Sequence, residues 1–467
     1  MIVNYILYII VSVVFLNKVN EQEEMEITAT LKTEKISTPI YGFNGEFSRG
    51  PSLNTKSYFD SISSLKFRAI RYPGGGISSF WDWEKNKGVI STNNLKTPNH
   101  YLTMNSDIQG LNELLKLVNK TNCKVIFTLN MVTKDLDNQI NLLKKAHEIG
   151  INISYIELGN EHNLKNNPGR LIMKTSSNYA NICEKWIKRI KQEFPDSNIA
   201  MVGGNHQYSQ DVINWNSIMT NIINQPEALA FHFYPSPNSA LIDDEINFEK
   251  LHQSLNRQIN NQGLLDIDPS LKIWITEYNI YWASKKYEEY LKDKELPNDR
   301  MFTWSQSLAT CLMTIQLSLL PNTEVILNHS LANWIGFAAI NNKTFEKTPN
   351  GIGMEIINKV SNQRDYFKKV IFNTKESTIE DFNLLGLKFL NNNNLMSKII
   401  LLNLTSENRF INIEKIINSK KYIVEHYKNG NSKTINGVED ISKTKLTIEN
   451  KNTINIPPLS ITIISEK

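Results

Sequence analysis

From about residue 37 to 358, short apolar runs alternate with longer amphipathic ones. The runs are Ile40–Phe47, Phe67–Pro73, Lys124–Leu129, Tyr155–Gly159, Ile199–Gly203, Ala228–Phe233, Lys272–Glu277 and one within Glu324–Ala338. They are mostly continuous rather than alternating, as strands covered on both faces should be. Between them, apolar positions return every three or four residues. Ile108, Leu111, Leu115 and Val118 line one side of Asp107–Asn119, and Tyr179, Ile182, Trp186 and Ile190 do the same in Tyr179–Phe194. That spacing predicts amphipathic helices. Eight strands alternating with helices predict an α/β fold, a parallel (β/α)8 TIM barrel over 37–358. The eighth strand has two placements, Val325–Asn328 or Trp334–Ala338.

After about Gly353 the rhythm changes. Lys398–Leu404, Lys421–Tyr427, Lys445–Glu449 and Ser460–Ile464 are short β-branched segments separated by Asn, Gly, Lys and Pro. They predict a C-terminal antiparallel β-sandwich over 359–467. Glu24–Leu31 alternates like a strand, so residues 22–36 are expected to join that sandwich and build it from both ends of the chain. Two domains suit 467 residues, since one core rarely grows past roughly 300 residues.

Composition narrows the function classes. With 40% hydrophobic and 21% charged residues, the chain is globular, and a net charge of +4 without a Lys/Arg run gives no reason to expect nucleic acid. Three widely spaced cysteines, Cys123, Cys183 and Cys311, form neither a CxxC nor a disulfide framework and read as buried thiols. Ile2–Leu16 is apolar, too short for a comfortable membrane span and suited to a signal-peptide core. Residues 1–20 are therefore expected to be a signal peptide or an uncleaved anchor, with the protein secreted, periplasmic or at the cell surface. Any membrane tether would run through that segment.

The C-terminal ends of barrel strands carry the active site. Tyr155-Ile-Glu-Leu-Gly-Asn-Glu161 and Ile273-Trp-Ile-Thr-Glu277 both run from apolar residues into a glutamate. As strands four and seven they would face each other across the barrel mouth. Two such carboxyl groups are what glycosidic bond cleavage needs: one protonates the leaving oxygen, the other attacks the anomeric carbon or activates water. Neither His-x-His nor His-Glu-x-x-His occurs, and no Gly-Lys-Ser/Thr follows Gly74-Gly75-Gly76. No metal, phosphate site or other cofactor is therefore expected. The glycines, coming after Pro73, read as a tight strand-to-loop turn.

The Gly-Asn-Glu and Thr-Glu signals resemble those of the clan-A retaining glycosidases, most of all the family-51 α-L-arabinofuranosidases. Thr38-Pro-Ile-Tyr-Gly-Phe-Asn-Gly-Glu46 resembles that family's first-strand segment, whose Glu contacts the sugar. Arg71-Tyr-Pro-Gly-Gly-Gly-Ile-Ser-Ser-Phe-Trp-Asp-Trp-Glu84, Phe231-His-Phe-Tyr-Pro235 and Pro457-Pro-Leu-Ser-Ile-Thr462 resemble its second strand, sixth strand and final sandwich strand. The resemblance implies Glu161 as acid/base, Glu277 as nucleophile, Asn160 on the sugar 2-hydroxyl, and Arg71 and Tyr234 holding Glu277 ionised. It implies a plant- or matrix-type polysaccharide or oligosaccharide as substrate. Two positions depart from the family pattern: Gly76 stands where Asn is usual, and Thr276-Glu277-Tyr278 replaces Asp-Glu-Trp. Gly150–Glu161 is equally similar to the heparanase and β-glucuronidase family (family 79), which keeps that activity, or another clan-A endo-glycosidase, as an alternative. A catalytically silent carbohydrate-binding barrel is the alternative of a different class.

Trp81 and Trp282 are candidates to stack on sugar rings, and His232 to bind substrate or support the nucleophile. Trp83, Trp334, Tyr281, His162, His206 and Asn130 are weaker candidates of the same kind.

Overall fold

The computed structural model describes residues 27–45, 47, 50–91, 95, 97–98, 102, 110–204, 214–236, 246–280, 303–331, 337–375, 377–379, 382–393, 396–429 and 441–466. The expectations for residues 1–20, Glu24, Glu46, His206, Tyr281, Trp282 and Trp334 lie outside them.

Eight parallel strands close into a barrel in chain order: β1 (Ile40–Asn44), β2 (Ala69–Tyr72), β3 (Lys124–Thr128), β4 (Tyr155–Leu158), β5 (Asn198–Val202), β6 (Ala228–Phe233), β7 (Lys272–Tyr278) and β8 (Thr323–His329). The last pairs with the first through Val325↔Ile40 to His329↔Asn44. The eighth strand thus extends beyond the shorter placement at both ends and brings His329 to the mouth. Amphipathic helices cover the outside. Ser176–Glu193 buries Tyr179, Ala180, Cys183, Trp186, Ile187 and Ile190, and its Tyr179 hydroxyl donates to the Leu158 carbonyl (2.6 Å) while accepting from the Val202 amide (2.9 Å). One side chain so locks the ends of β4 and β5. Cys123, Cys183 and Cys311 are buried and unpaired.

The lumen below the mouth is a packed core, as barrel interiors of eight strands are. Small residues (Ala69, Ala200, Ala228, Ala230) face large ones (Tyr155, Trp274). The two rings lie 5.3 Å apart. Their polar tips are satisfied by one carboxylate: Glu324 accepts from Trp274 Nε1 (2.8 Å) and from the Tyr155 hydroxyl (3.3 Å).

The second layer is a curled, mostly antiparallel eleven-stranded sheet. Its main strands are β9 (Tyr366–Asn373), β10 (Leu384–Leu390), β11 (Lys398–Asn403), β12 (Arg409–Asn412), β13 (Lys421–Asn429), β14 (Ile441–Glu449), β15 (Thr453–Ile456) and β16 (Ser460–Glu466). The strand Ile27–Leu31 sits between β9, antiparallel, and β12, parallel, so the sheet is sewn from both sides of the barrel in sequence. Its concave face encloses its own core around Ile399, Leu401, Tyr422 and Val424. The opposite face, with Phe389, Ile400, Leu402 and Ile463, joins the barrel core. The helices between the two layers, Trp304–Ser318 and Pro349–Ser361, are buried on nearly every side, which explains their apolar character all round. None of the described helices is long and apolar enough to cross a membrane.

Trp274 is fully buried at the centre of the lumen. Trp274→Ala is expected to cost about 3–5 kcal/mol, the usual range for an aromatic-to-Ala cavity, measured by urea unfolding. A loss under about 1 kcal/mol would mean that the lumen can collapse around the deletion.

Candidate active site

Strand register assembles the mouth. His329, Asn44 and Arg71 are level on β8, β1 and β2, His232 and Glu277 on β6 and β7, and Thr128 and Glu157 on β3 and β4. At the centre lies Arg71, fully buried, whose guanidinium is engaged on every nitrogen. Nε and Nη2 donate to Glu157 (2.6 and 3.0 Å), Nη1 to Glu277 Oε1 (2.6 Å) and Asn44 Oδ1 (3.3 Å), and Nη2 also to Asn160 Oδ1 (2.8 Å). A charge removed from water is tolerable only with such pairing.

Glu277 is held as a carboxylate from all sides. Oε1 accepts from Arg71 and from Asn44 Nδ2 (3.2 Å), and Oε2 from the Tyr234 hydroxyl (2.6 Å). His329 and His232 stand 3.6 and 3.7 Å from Oε2. Burial alone would push its pKa up, but His232, His329 and Arg71 outweigh it, helped by Tyr234, and the carboxyl lies well below its ordinary value. Tyr234 is in turn fixed by its backbone: its amide donates to Gln258 Oε1 and its carbonyl accepts from Gln258 Nε2. One helical turn on, Gln262 donates to the His232 carbonyl (2.8 Å).

Glu161 occupies a different environment. Its side chain is 30% exposed against 6% for Glu277, and Oε1 lies 2.9 Å from His232 Nδ1. The chain reaches it through a sharp turn, with Gly159 at φ +84° and Glu161 itself at φ +53°. A Cβ at position 159 would lie 2.0 Å from His162 Nε2, so only glycine fits there. The left-handed backbone of Glu161 is a small local cost of the kind found at functional sites. Between the two glutamates, Asn160 is buried with Oδ1 committed to Arg71, which leaves its amide NH2 as the group with donors to offer.

His232 bridges. Nδ1 faces Glu161 and Nε2 lies 3.0 Å from Thr276 Oγ1. Burial works against its charged form, but Glu277 and Glu161 outweigh burial and Arg71, and its pKa rises above the ordinary imidazole value. The coordinating atoms of Glu161, His232 and Glu277 all fall within 4.8 Å of one another. That spacing would suit a cation. However, proton donors already occupy both oxygens of Glu277 and the Arg71 guanidinium sits alongside, so the charge of Glu277 is already compensated.

Of the other expected residues, Trp81 is 2% exposed, packs edge-on against Tyr72 (6.1 Å) and offers its carbonyl to Asn130 Nδ2. Its ring belongs to the core rather than to a sugar-stacking wall, a correction set by burial. Asn130 is likewise structural, clamping its own loop through the Val132 and Thr133 amides. Trp83 is half-buried and donates to Asn138. His162 packs edge-on against Tyr179 (5.3 Å) under the Gly159 turn, and burial takes its pKa down to about 4, against the opposing pull of Asn167 and Glu161. It props the turn that carries Glu161.

Sequence reading missed Asn44, Glu157, Thr276 and His329. Asn44 and His329 each end an apolar run, the same signal that found the two glutamates. Glu157 is a charge inside the apolar run Tyr155–Leu158, a pattern that demands a buried partner.

The segment 61–148 matches the α-L-arabinofuranosidase 1 domain. Over 224 residues the chain is 20% identical to an intracellular exo-α-(1→5)-L-arabinofuranosidase of Acetivibrio thermocellus, covering 42% of this chain and 44% of that one. Over 190 residues it is 24% identical to its Bacillus subtilis counterpart, covering 37% of each. The matched portion thus spans less than half the length of these relatives. In fold, 95% of the chain superposes on all of a family-51 α-L-arabinofuranosidase from Thermotoga petrophila (TM-score 0.72, 17% identity). Further off, 94% superposes on 99% of a 4-O-α-L-rhamnosyl-β-D-glucuronidase from Fusarium oxysporum (TM-score 0.59, 12% identity).

Glu277 contributes stability above the ordinary carboxylate pKa, and that contribution is lost as pH falls through its depressed native value. Arg71→Met should therefore cost about 3–5 kcal/mol at pH 7, as breaking a buried pair does. The gap from wild type should shrink as pH falls below roughly 4 and Glu277 protonates. Urea unfolding at several pH values tests this, and a gap independent of pH would contradict it. In its segment 61–148 this chain is similar to the α-L-arabinofuranosidase 1 domain, and over nearly its whole length it has the fold seen in family-51 α-L-arabinofuranosidases.

Proposed function

We propose that this chain is a retaining glycoside hydrolase that cleaves α-L-arabinofuranosyl linkages in plant- or matrix-type oligosaccharides or polysaccharides by double displacement. The observation that carries the reading is the pair Glu161 and Glu277, with oxygens within 4.8 Å and opposite environments. Retaining enzymes hold their carboxyl groups about 5–5.5 Å apart, while inverting ones need roughly 6.5–9.5 Å to admit water.

Glu277, buried and held ionised by Arg71 and Tyr234, is the nucleophile that attacks the anomeric carbon. Glu161, partly open to the mouth, gives its proton to the leaving oxygen. It then takes a proton from the water that attacks the same carbon and releases Glu277. Asn160 offers its amide NH2 to a ring hydroxyl beside the scissile bond. Curated relatives named as arabinofuranosidases support the sugar.

A second reading, a β-glucuronidase-like activity, draws on Gly76, which has no side chain to grip a furanose where the family-51 pattern has Asn.

The test is a panel of aryl glycosides: α-L-arabinofuranoside, β-D-glucuronide, β-D-xyloside, β-D-glucoside and β-D-galactoside. The expected result is turnover of the arabinofuranoside, with NMR showing a first-formed product of retained configuration. Glu277→Ala and Glu161→Ala should each lower kcat by a factor on the order of 10² or more on unactivated substrates. An inverted first product would overturn double displacement. Near wild-type rates in both variants would overturn the site. No turnover of any glycoside would leave a sugar-binding barrel without catalysis.

A further inference from the structure

Thr276 Oγ1 stands between two groups, 3.1 Å from Glu157 Oε1 and 3.0 Å from His232 Nε2. A hydroxyl has one proton to give. Glu157 is paired through both oxygens with Arg71 and, as a carboxylate, only accepts. The Thr276 proton therefore goes to Glu157, and its lone pair faces His232. Nε2 of His232 must carry a proton, because two lone pairs cannot face each other at 3.0 Å.

The consequence falls on Nδ1, 2.9 Å from Glu161 Oε1. In a neutral ring whose proton is on Nε2, Nδ1 is a bare base. It would draw the Glu161 proton onto the Oε1–Nδ1 line, away from a leaving group. In the imidazolium, Nδ1–H donates to Oε1, and Oε2 is left to carry the proton that is transferred.

We propose that Thr276 is a positioning residue that keeps His232 protonated on both nitrogens, so that Glu161 works as an acid/base with its Oε1 capped by Nδ1–H. This rests on the glycosidase reading of Glu161. His232 itself exchanges no proton with substrate. In the first step the Glu161 proton passes to the leaving oxygen as the glycosidic bond breaks and the bond to Glu277 forms. In the second, Glu161 recovers a proton from water as the new C–O bond replaces that ester. Throughout, the charged groups facing the ring are Glu161 from the β4 turn, Glu277 on β7 at 3.7 Å and Arg71 on β2. Glu157 acts through Thr276, and His329 approaches the same Glu277 oxygen as His232, at 3.6 Å. The two carboxylates nearest the ring favour the imidazolium and Arg71 opposes it.

Thr276→Val keeps the shape and removes the acceptor for Nε2–H. Losing one hydrogen bond to a charged group should move the basic limb of the pH–kcat/KM profile down by about one unit. Thr276→Ser should restore it. In a His232→Gln background Thr276→Val should shift nothing further, since coupled residues are not additive. A wild-type profile in Thr276→Val, or additive effects in the double variant, would overturn the proposal. A second measurement uses the unsubstituted protein and no substrate. 15N-histidine NMR should show protons on both ring nitrogens of His232, whose signals are identified by their loss in His232→Gln. A neutral ring, protonated on either nitrogen alone, would overturn the proposal even if the enzyme hydrolyses glycosides. A doubly protonated ring in a protein that hydrolyses none would instead fault the functional reading.

Discussion

The whole mouth of the barrel depends on one buried guanidinium. Arg71 is the compensating charge paired out of water with Glu157 and Glu277, and its planar fork fixes their directions. Take it away, and two carboxylates would share a low-dielectric site without compensation. Asn44, Asn160 and Thr276 are placed by the same ion, either bonded to it or to a carboxylate it holds. The lumen beneath, plugged by Trp274 and Tyr155, supplies the rigid floor against which this network is set.

Polarity divides the two glutamates by depth. Glu277 sits where donors converge from β1, β2 and β6, so its proton is lost long before neutrality. Glu161 stands one layer higher on a left-handed turn, in touch with solvent and with one histidine. Under the proposed function, that difference of environment suits the first to the nucleophile's part and the second to proton transfer, without any difference in side-chain chemistry. His232 connects them, which is why its own proton state matters to both.

The sandwich serves this arrangement indirectly. Its strands wrap back from Ile27–Leu31 to β16 and bury the otherwise apolar helices Trp304–Ser318 and Pro349–Ser361. Those helices carry Gln306, which donates to Asn279, and Asn279 donates to the carbonyl of His329. A chain of packing and hydrogen bonds thus runs from the sheet to the ring beside Glu277.

Much of this was legible in the sequence because the signals are local. Continuous apolar runs mark buried parallel strands, and a polar residue closing such a run marks the mouth, so Glu161, Glu277 and His232 stand out in one dimension, while Arg71, Asn160 and Tyr234 came with the family resemblance. Trp81 illustrates the limit, since a tryptophan reads the same whether it faces a cleft or, as here, packs on Tyr72 in the core. Asn44 and His329 carried the same strand-end mark as the glutamates, yet their meaning appears only when β8 closes on β1 and sets them level. Glu157 and Thr276 required still more, because which hydroxyl proton goes where depends on distances among β2, β4, β6 and β7. The sequence alone determined the barrel and the identity of its two central carboxylates. Only the tertiary structure decided their environments, because charge and proton placement are set by neighbours that lie far apart in the chain.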